Sequence, residues 1–139
     1  MLNRRAFLGA SAAALPIIAS LASAEQGDHL ASGVLNPETA KLTHQSFGDV
    51  RIYFDGSTGQ LHALTVGSVA LKPGMEPHPP HQHPEEEIML VTEGAGSILV
   101  EAETHPVGPG SMMYCSGGRL HGIKAGLQGL TFYYYKWKA

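Results

Sequence analysis

The chain is poor in several things, and each shortage narrows what it can be. It has one cysteine, Cys115, so no intramolecular disulfide can form. It has no stripe of Lys and Arg, and the formal net charge is -3. A phosphate backbone needs a basic footprint, so nucleic acid is excluded as a partner. Beyond residue 24 no stretch repeats apolar residues at 3.6-residue spacing over a useful length, which argues against a helical fold. No internal repeat is evident, so one domain with one core is expected from 139 residues.

What is present first is a leader. Residues 1–24 pair Arg4-Arg5 with Phe7-Leu8, continue as an Ala-rich apolar run, and end in Ala22-Ser23-Ala24. A charged start, an apolar middle and small residues before the cut are the parts of an export signal. The segment N-R-R-A-F-L resembles the twin-arginine signal. The other readings are an ordinary secretory signal or an uncleaved anchor. The Ser and Pro content makes the run a poor bilayer span, so no stable membrane insertion is expected after cleavage. The expected location is periplasmic or secreted. The twin-arginine route carries folded proteins, which reconciles export with the lack of disulfides.

Residues 25–40 mix Gly, Asp, Ser, Asn and Pro and read as an N-terminal arm. Residues 41–139 hold the domain. Val50 to Phe54, Leu61 to Leu71, Ile88 to Thr92, Ser97 to Val100, His105 to Val107, Met112 to Cys115, His121 to Lys124 and Leu130 to Trp137 read as strands. Gly- and Pro-containing turns separate them every 8–12 residues. About eight short strands in this pattern form an antiparallel sandwich or barrel. In the last strand Thr131, Tyr133, Tyr135 and Trp137 share one face, as a core stripe would.

The chemistry concentrates between Gly74 and Gly94, which carry His78, His81, His83, Glu85, Glu86 and Glu87. Imidazoles and a carboxylate at short spacing are ligands for a borderline metal ion. His81, His83 and Glu87 have the same parity. On a straight strand, however, His83 and Glu87 would stand about 13 Å apart at roughly 3.3 Å per residue. Metal–ligand bonds of about 2.1 Å cannot join them. The chain must bend, and Pro84 is the natural corner. A helix starting at Pro84 is the alternative, with the three glutamates answering its dipole. The β-branched residues Ile88, Val91 and Thr92 speak against it.

These residues resemble the cupin superfamily. Its first motif is matched by His81-Gln82-His83, three residues, Glu87, six residues and Gly94, with Gly74 one residue early. Its second is matched by Gly110, Gly118 and His121, with Ser116 in place of a proline and Ala125 in place of an asparagine. The resemblance covers residues 61 to 137. It implies an all-β double-stranded β-helix, a single-domain jelly-roll barrel, with a metal held by His81, His83, Glu87 and His121 near one mouth. Three imidazoles and a carboxylate leave open positions on an octahedral ion. One divalent Mn, Fe or Ni is therefore favoured, with Zn or Cu as the other options.

The resulting expectation is a small metal-dependent enzyme, dioxygenase-like, isomerase or lyase, acting on a small oxygenated molecule. The competing expectation is a non-catalytic module that binds a small molecule or metal. Tyr114, Arg119 and His78 are the candidates to assist catalysis, His78 otherwise being a solvent-exposed loop residue. Glu85 and Glu86 are expected to be solvated neighbours of Glu87. His29, His44, His62 and His105 are expected on the surface or in strands. Cys115 is expected to be a small core residue. Exposed jelly-roll edges leave a homodimer open.

Overall fold

The computed structural model describes residues 29–139. The expected leader lies outside the described residues, as do the first four residues of the arm. The rest of the arm is tied down at its start. His29 bridges Ser57, and the Leu30 N–H donates to the Ser57 carbonyl at 2.8 Å. Residues 31–39 are exposed.

Seven strands follow: β1 (Lys41–Gln45), β2 (Gly48–Gly56), β3 (Ala63–Leu71), β4 (Glu86–Val100), β5 (Glu103–Val107), β6 (Met112–Cys115) and β7 (His121–Lys138). All pairings between them are antiparallel. The order is β1-β2-β3-β7-β4-β5, and β6 pairs with β4. The all-β jelly-roll expectation is met, and no helix forms at Pro84. Among the described residues, no helix is long and apolar enough to cross a membrane.

Two expected breaks are bends instead. β4 runs through Gly94–Gly96, and β7 runs through Ala125–Gly129. The β4/β7 ladder shifts register at Val91/Glu93 and again at Gly94/Gly96. Bulges bend a strand without ending it, and glycine tolerates the corner. Gly94 has φ 72°, and a Cβ there would lie 2.2 Å from the Gly129 carbonyl oxygen. The two long strands therefore cross at a point that only glycine allows. The β4–β5 turn lacks Asn-Gly; Glu101 takes the left-handed conformation, φ 54°, in its place. Its amide donates to the Leu120 carbonyl at 2.7 Å, and its carboxylate accepts from Arg119 at 3.0 Å.

Alternation along β4 and β7 builds the core. Met89, Val91 and Ile98 from β4 meet Ile123, Ala125, Leu130 and Phe132 from β7. Val69, Leu71, Met113 and Cys115 complete the cluster. Full burial of one such aliphatic or aromatic side chain contributes about 1.5–3 kcal/mol. The inward face of β7 is thus Leu130, Phe132, Tyr134 and Lys136. The stripe expected in the core, Tyr133, Tyr135 and Trp137, lies on the other face. Tyr133 packs on Tyr53 with ring centroids 5.9 Å apart, and Trp137 donates to Glu86. The two sides of β7 are both apolar, so alternation alone could not tell inside from outside.

Candidate metal centre

The first segment of the site is irregular backbone. Residues 82–85 lie outside any strand, with a bend at Pro84 and Glu85, and β4 begins at Glu86. This is the corner that the distance argument required. It brings His83 Nε2 within 3.0 Å of Glu87 Oε2. The second segment braces it. The Gly118 amide donates to the His83 carbonyl at 2.7 Å. A Cβ at Gly117 would stand 2.4 Å from the Pro84 carbonyl oxygen, so this approach requires glycine. The Gly117–Gly118 turn therefore supports the His83 corner as well as leading to His121.

His81 and His121 are joined directly by their backbones. Each donates its amide to the other's carbonyl at 2.9 Å. The three imidazoles form a nearly equilateral group, with ring centroids 5.1, 5.0 and 4.8 Å apart and steep interplanar angles. One ring nitrogen from each lies within 4.8 Å of the others. His81, His83 and His121 could together hold a metal ion. Glu87 Oε2 sits against two of them, 3.0 Å from His83 Nε2 and 2.9 Å from His121 Nε2. Glu87 is 6% exposed and His121 is 1% exposed.

The outer nitrogens are committed. His121 Nδ1 donates to the Arg119 carbonyl at 2.9 Å, and Cys115 Sγ lies 3.5 Å behind it. His83 Nδ1 donates to the Glu85 carbonyl at 3.1 Å, with the Glu85 carboxylate 3.3 Å away. In a neutral imidazole the second nitrogen then carries a lone pair. Both lone pairs point at the Glu87 carboxylate. Such contacts need a positive charge between nitrogen and oxygen, either a proton or a metal ion.

The electrostatics agree. Burial pushes the Glu87 carboxyl up, but hydrogen bonds from His121 and His83 outweigh it and hold the group below its ordinary value. The same hydrogen bond raises His121 against its own burial. His81 is lowered to about 4, by burial first and then by the neighbouring His78, His121 and His83. It is neutral at physiological pH, as a metal ligand must be.

Above the imidazoles opens a pocket of about 210 Å³. Phe47, Val50, Val69, Met89 and Phe132 form its apolar wall, and Tyr134, Lys136 and His78 its polar groups. His78 is not the solvent-exposed loop residue expected. It is half-buried and packs on His81, centroids 3.8 Å apart. Glu85 also does more than sit in solvent, since it orients His83. Glu86 faces the other way and accepts from Tyr114 at 2.6 Å and Trp137 at 2.9 Å. Tyr114 is therefore on the outer surface, and the Arg119 side chain pairs with Glu101; neither lines the pocket. Cys115 is buried in the core, and His29, His44, His62 and His105 are exposed.

Sequence reasoning missed Tyr134 and Lys136. Their signal was parity: Lys136 stands opposite Glu87 across β4 and β7, so both project to the same side.

Comparison with known proteins fits this picture. The Cupin_2 family, cupin domain, matches residues 67–126, a span that contains all three histidines and Glu87. The dimethylsulfoniopropionate lyase DddW of Ruegeria pomeroyi is 30% identical over 94 residues, 66% of this chain and 61% of that protein. The chain thus spans less than two thirds of that curated relative. An RmlC-like cupin from Shewanella frigidimarina superposes with TM-score 0.66 at 15% identity, over 78% of this chain and 93% of that one. Bacillus subtilis oxalate decarboxylase OxdC, as its S161A mutant, gives 0.62 at 20% identity, over 80% and 31%. At such identities the structures establish the fold alone. The family match spans the histidine cluster, and the solved cupins share this architecture, so the described domain has the jelly-roll fold of the cupins.

Proposed function

We propose that this protein is a mononuclear metal-dependent enzyme, a lyase acting on a small oxygenated molecule in the periplasm. The observation that carries the reading is the tautomer-locked cluster. Two imidazoles turn lone pairs toward one carboxylate oxygen, and the neutral His81 completes the group. His81, His83, His121 and Glu87 would hold the ion, and Mn, Fe or Ni suits such a set.

When bound, the metal supplies Lewis acidity toward a substrate oxygen. The chain does the rest. His78 donates its Nδ1–H to the Pro79 carbonyl at 2.9 Å, which leaves Nε2 as an acceptor and a candidate general base. Burial holds the Tyr134 phenol above its ordinary value, so it stays protonated and can donate a hydrogen bond to a bound substrate oxygen. A base and a polarised oxygen support elimination in preference to simple capture, and the likeness to a lyase points the same way.

The test is turnover of the metal-loaded protein on small oxygenated substrates, dimethylsulfoniopropionate among them, followed by alkene formation. Product that disappears in His78→Gln while metal stoichiometry is unchanged supports the reading. No turnover, with only ligand-induced stabilisation, overturns it in favour of a binding module. Export and cleavage after Ala24 belong to the same proposal, and N-terminal sequencing of periplasmic protein tests them. A homodimer through the terminal strands β1 and β5 is tested by sedimentation velocity.

A further inference from the structure

The pocket holds one cation that the metal site does not use. Lys136 lines it from β7, directly opposite Glu87 in the ladder. Among the described residues it forms no ion pair; the Glu87 oxygen that contacts protein is taken by His83 and His121. Two residues earlier on the same face is Tyr134. Its hydroxyl lies over the backbone of Gly67, so close that a Cβ there would meet it at 2.5 Å, and it makes no hydrogen bond to a described residue. An ammonium without an ion pair and a phenol without a hydrogen bond to a described residue stand two residues apart on one face of β7 and line a pocket shared by an apolar wall, the imidazoles and Glu87.

We propose that Lys136 and Tyr134 form an anion anchor and that the substrate is a short aliphatic monocarboxylate. Its carboxylate accepts hydrogen bonds from Lys136 Nζ and the Tyr134 hydroxyl, and its carbon chain lies along Val69, Met89 and Phe132. The charge selects a carboxylate over a neutral amide of equal shape. The volume of about 210 Å³ is below the range of drug-sized sites, about 300–1,000 Å³, which suits a ligand of few heavy atoms. This deepens the enzymatic reading, yet the anchor belongs to the chain itself and does not depend on a bound metal.

The test is therefore run on metal-free protein. Butanoate and pentanoate, with butanamide as the neutral control, are titrated by chemical-shift mapping. The expected result is saturable binding of the acids, much weaker binding of butanamide, and shifts centred on the β7 amides. Lys136→Gln should weaken butanoate binding about 10- to 100-fold, as loss of a hydrogen bond to a charged group does. Lys136→Arg should restore most of it, and Tyr134→Phe should cost less than Lys136→Gln. Equal affinity for butanoate and butanamide in the wild type overturns the proposal without any variant. So does undiminished butanoate binding in folded Lys136→Gln, which would mean that the imidazoles alone attract the anion. Absence of any acid binding overturns it too. Metal content is measured separately, so failure of the anchor and failure of the metal reading are distinguishable.

Discussion

Glu86 and Glu87 are neighbours in the chain and opposites in the fold. Glu87 points inward, is buried and meets two imidazoles. Glu86 points outward and accepts from Tyr114 and Trp137. Nothing in the side chain distinguishes them. The pleat alone assigns one to the metal centre and the other to a surface clamp that ties β4 to β6 and β7. The inner carboxylate is surrounded by groups that need a cation; the outer one has a donor on each of its oxygens. Function here follows from which face of a strand a residue occupies, and single-residue changes can separate the two faces.

The largest effect is expected from His121→Ala. It removes an inner ligand and empties a fully buried position, so metal content measured by elemental analysis should fall to background. Next, Glu87→Gln should lower metal affinity by about 100-fold, measured by competition with a chelator. Glu86→Gln should leave metal stoichiometry unchanged and lower only the melting temperature. If both glutamines affect metal equally, the distinction between the faces fails. Smaller still, Glu85→Gln should reduce metal affinity by about 10-fold, near the low end for an outer partner of a ligand, by loosening His83.

The smallest effect is the pH dependence of metal-free protein. Glu87 is depressed below its ordinary 4.5, so its contribution is present above that value and is lost as pH falls through the folded pKa. His121 is raised above its ordinary 6.5, so its contribution is present below that value and is lost as pH rises through the folded pKa. His81 acts the other way. Its lowered value, about 4, removes stability as pH falls from 6.5. The pair is therefore read as the difference between wild type and Glu87→Gln. That difference should be greatest between the two folded values and shrink on either side, in chemical denaturation at a series of pH values. A flat difference would show that the inner pair carries no charge-dependent stability.

Much of this was legible in the sequence. The spacing of His81, His83 and Glu87 fixed their common parity, and the reach of a metal bond demanded the corner at Pro84. The glycines near His121 marked the second half of the site. Other parts were not legible. Continuity of β4 and β7 through their glycines was hidden, because a bulge and a turn use the same residues. The inward face of β7 was hidden because Tyr133, Tyr135 and Trp137 are large aromatic side chains that can fill a core much as Leu130, Phe132 and Tyr134 do. His78 gave no signal of its own; its place over His81 depends on how a proline-rich loop folds back.

The reciprocal amide pair between His81 and His121 has a kinetic meaning. Two candidate ligands from distant parts of the chain share one small backbone ring, so neither can swing away while the ring is closed. Release of the ion then has to wait for local opening of the barrel mouth, and the ion in turn suppresses that opening. Amide hydrogen exchange at His81 and His121 should slow together when metal is added, by the same factor. Unequal protection would mean that the ion escapes past a closed mouth.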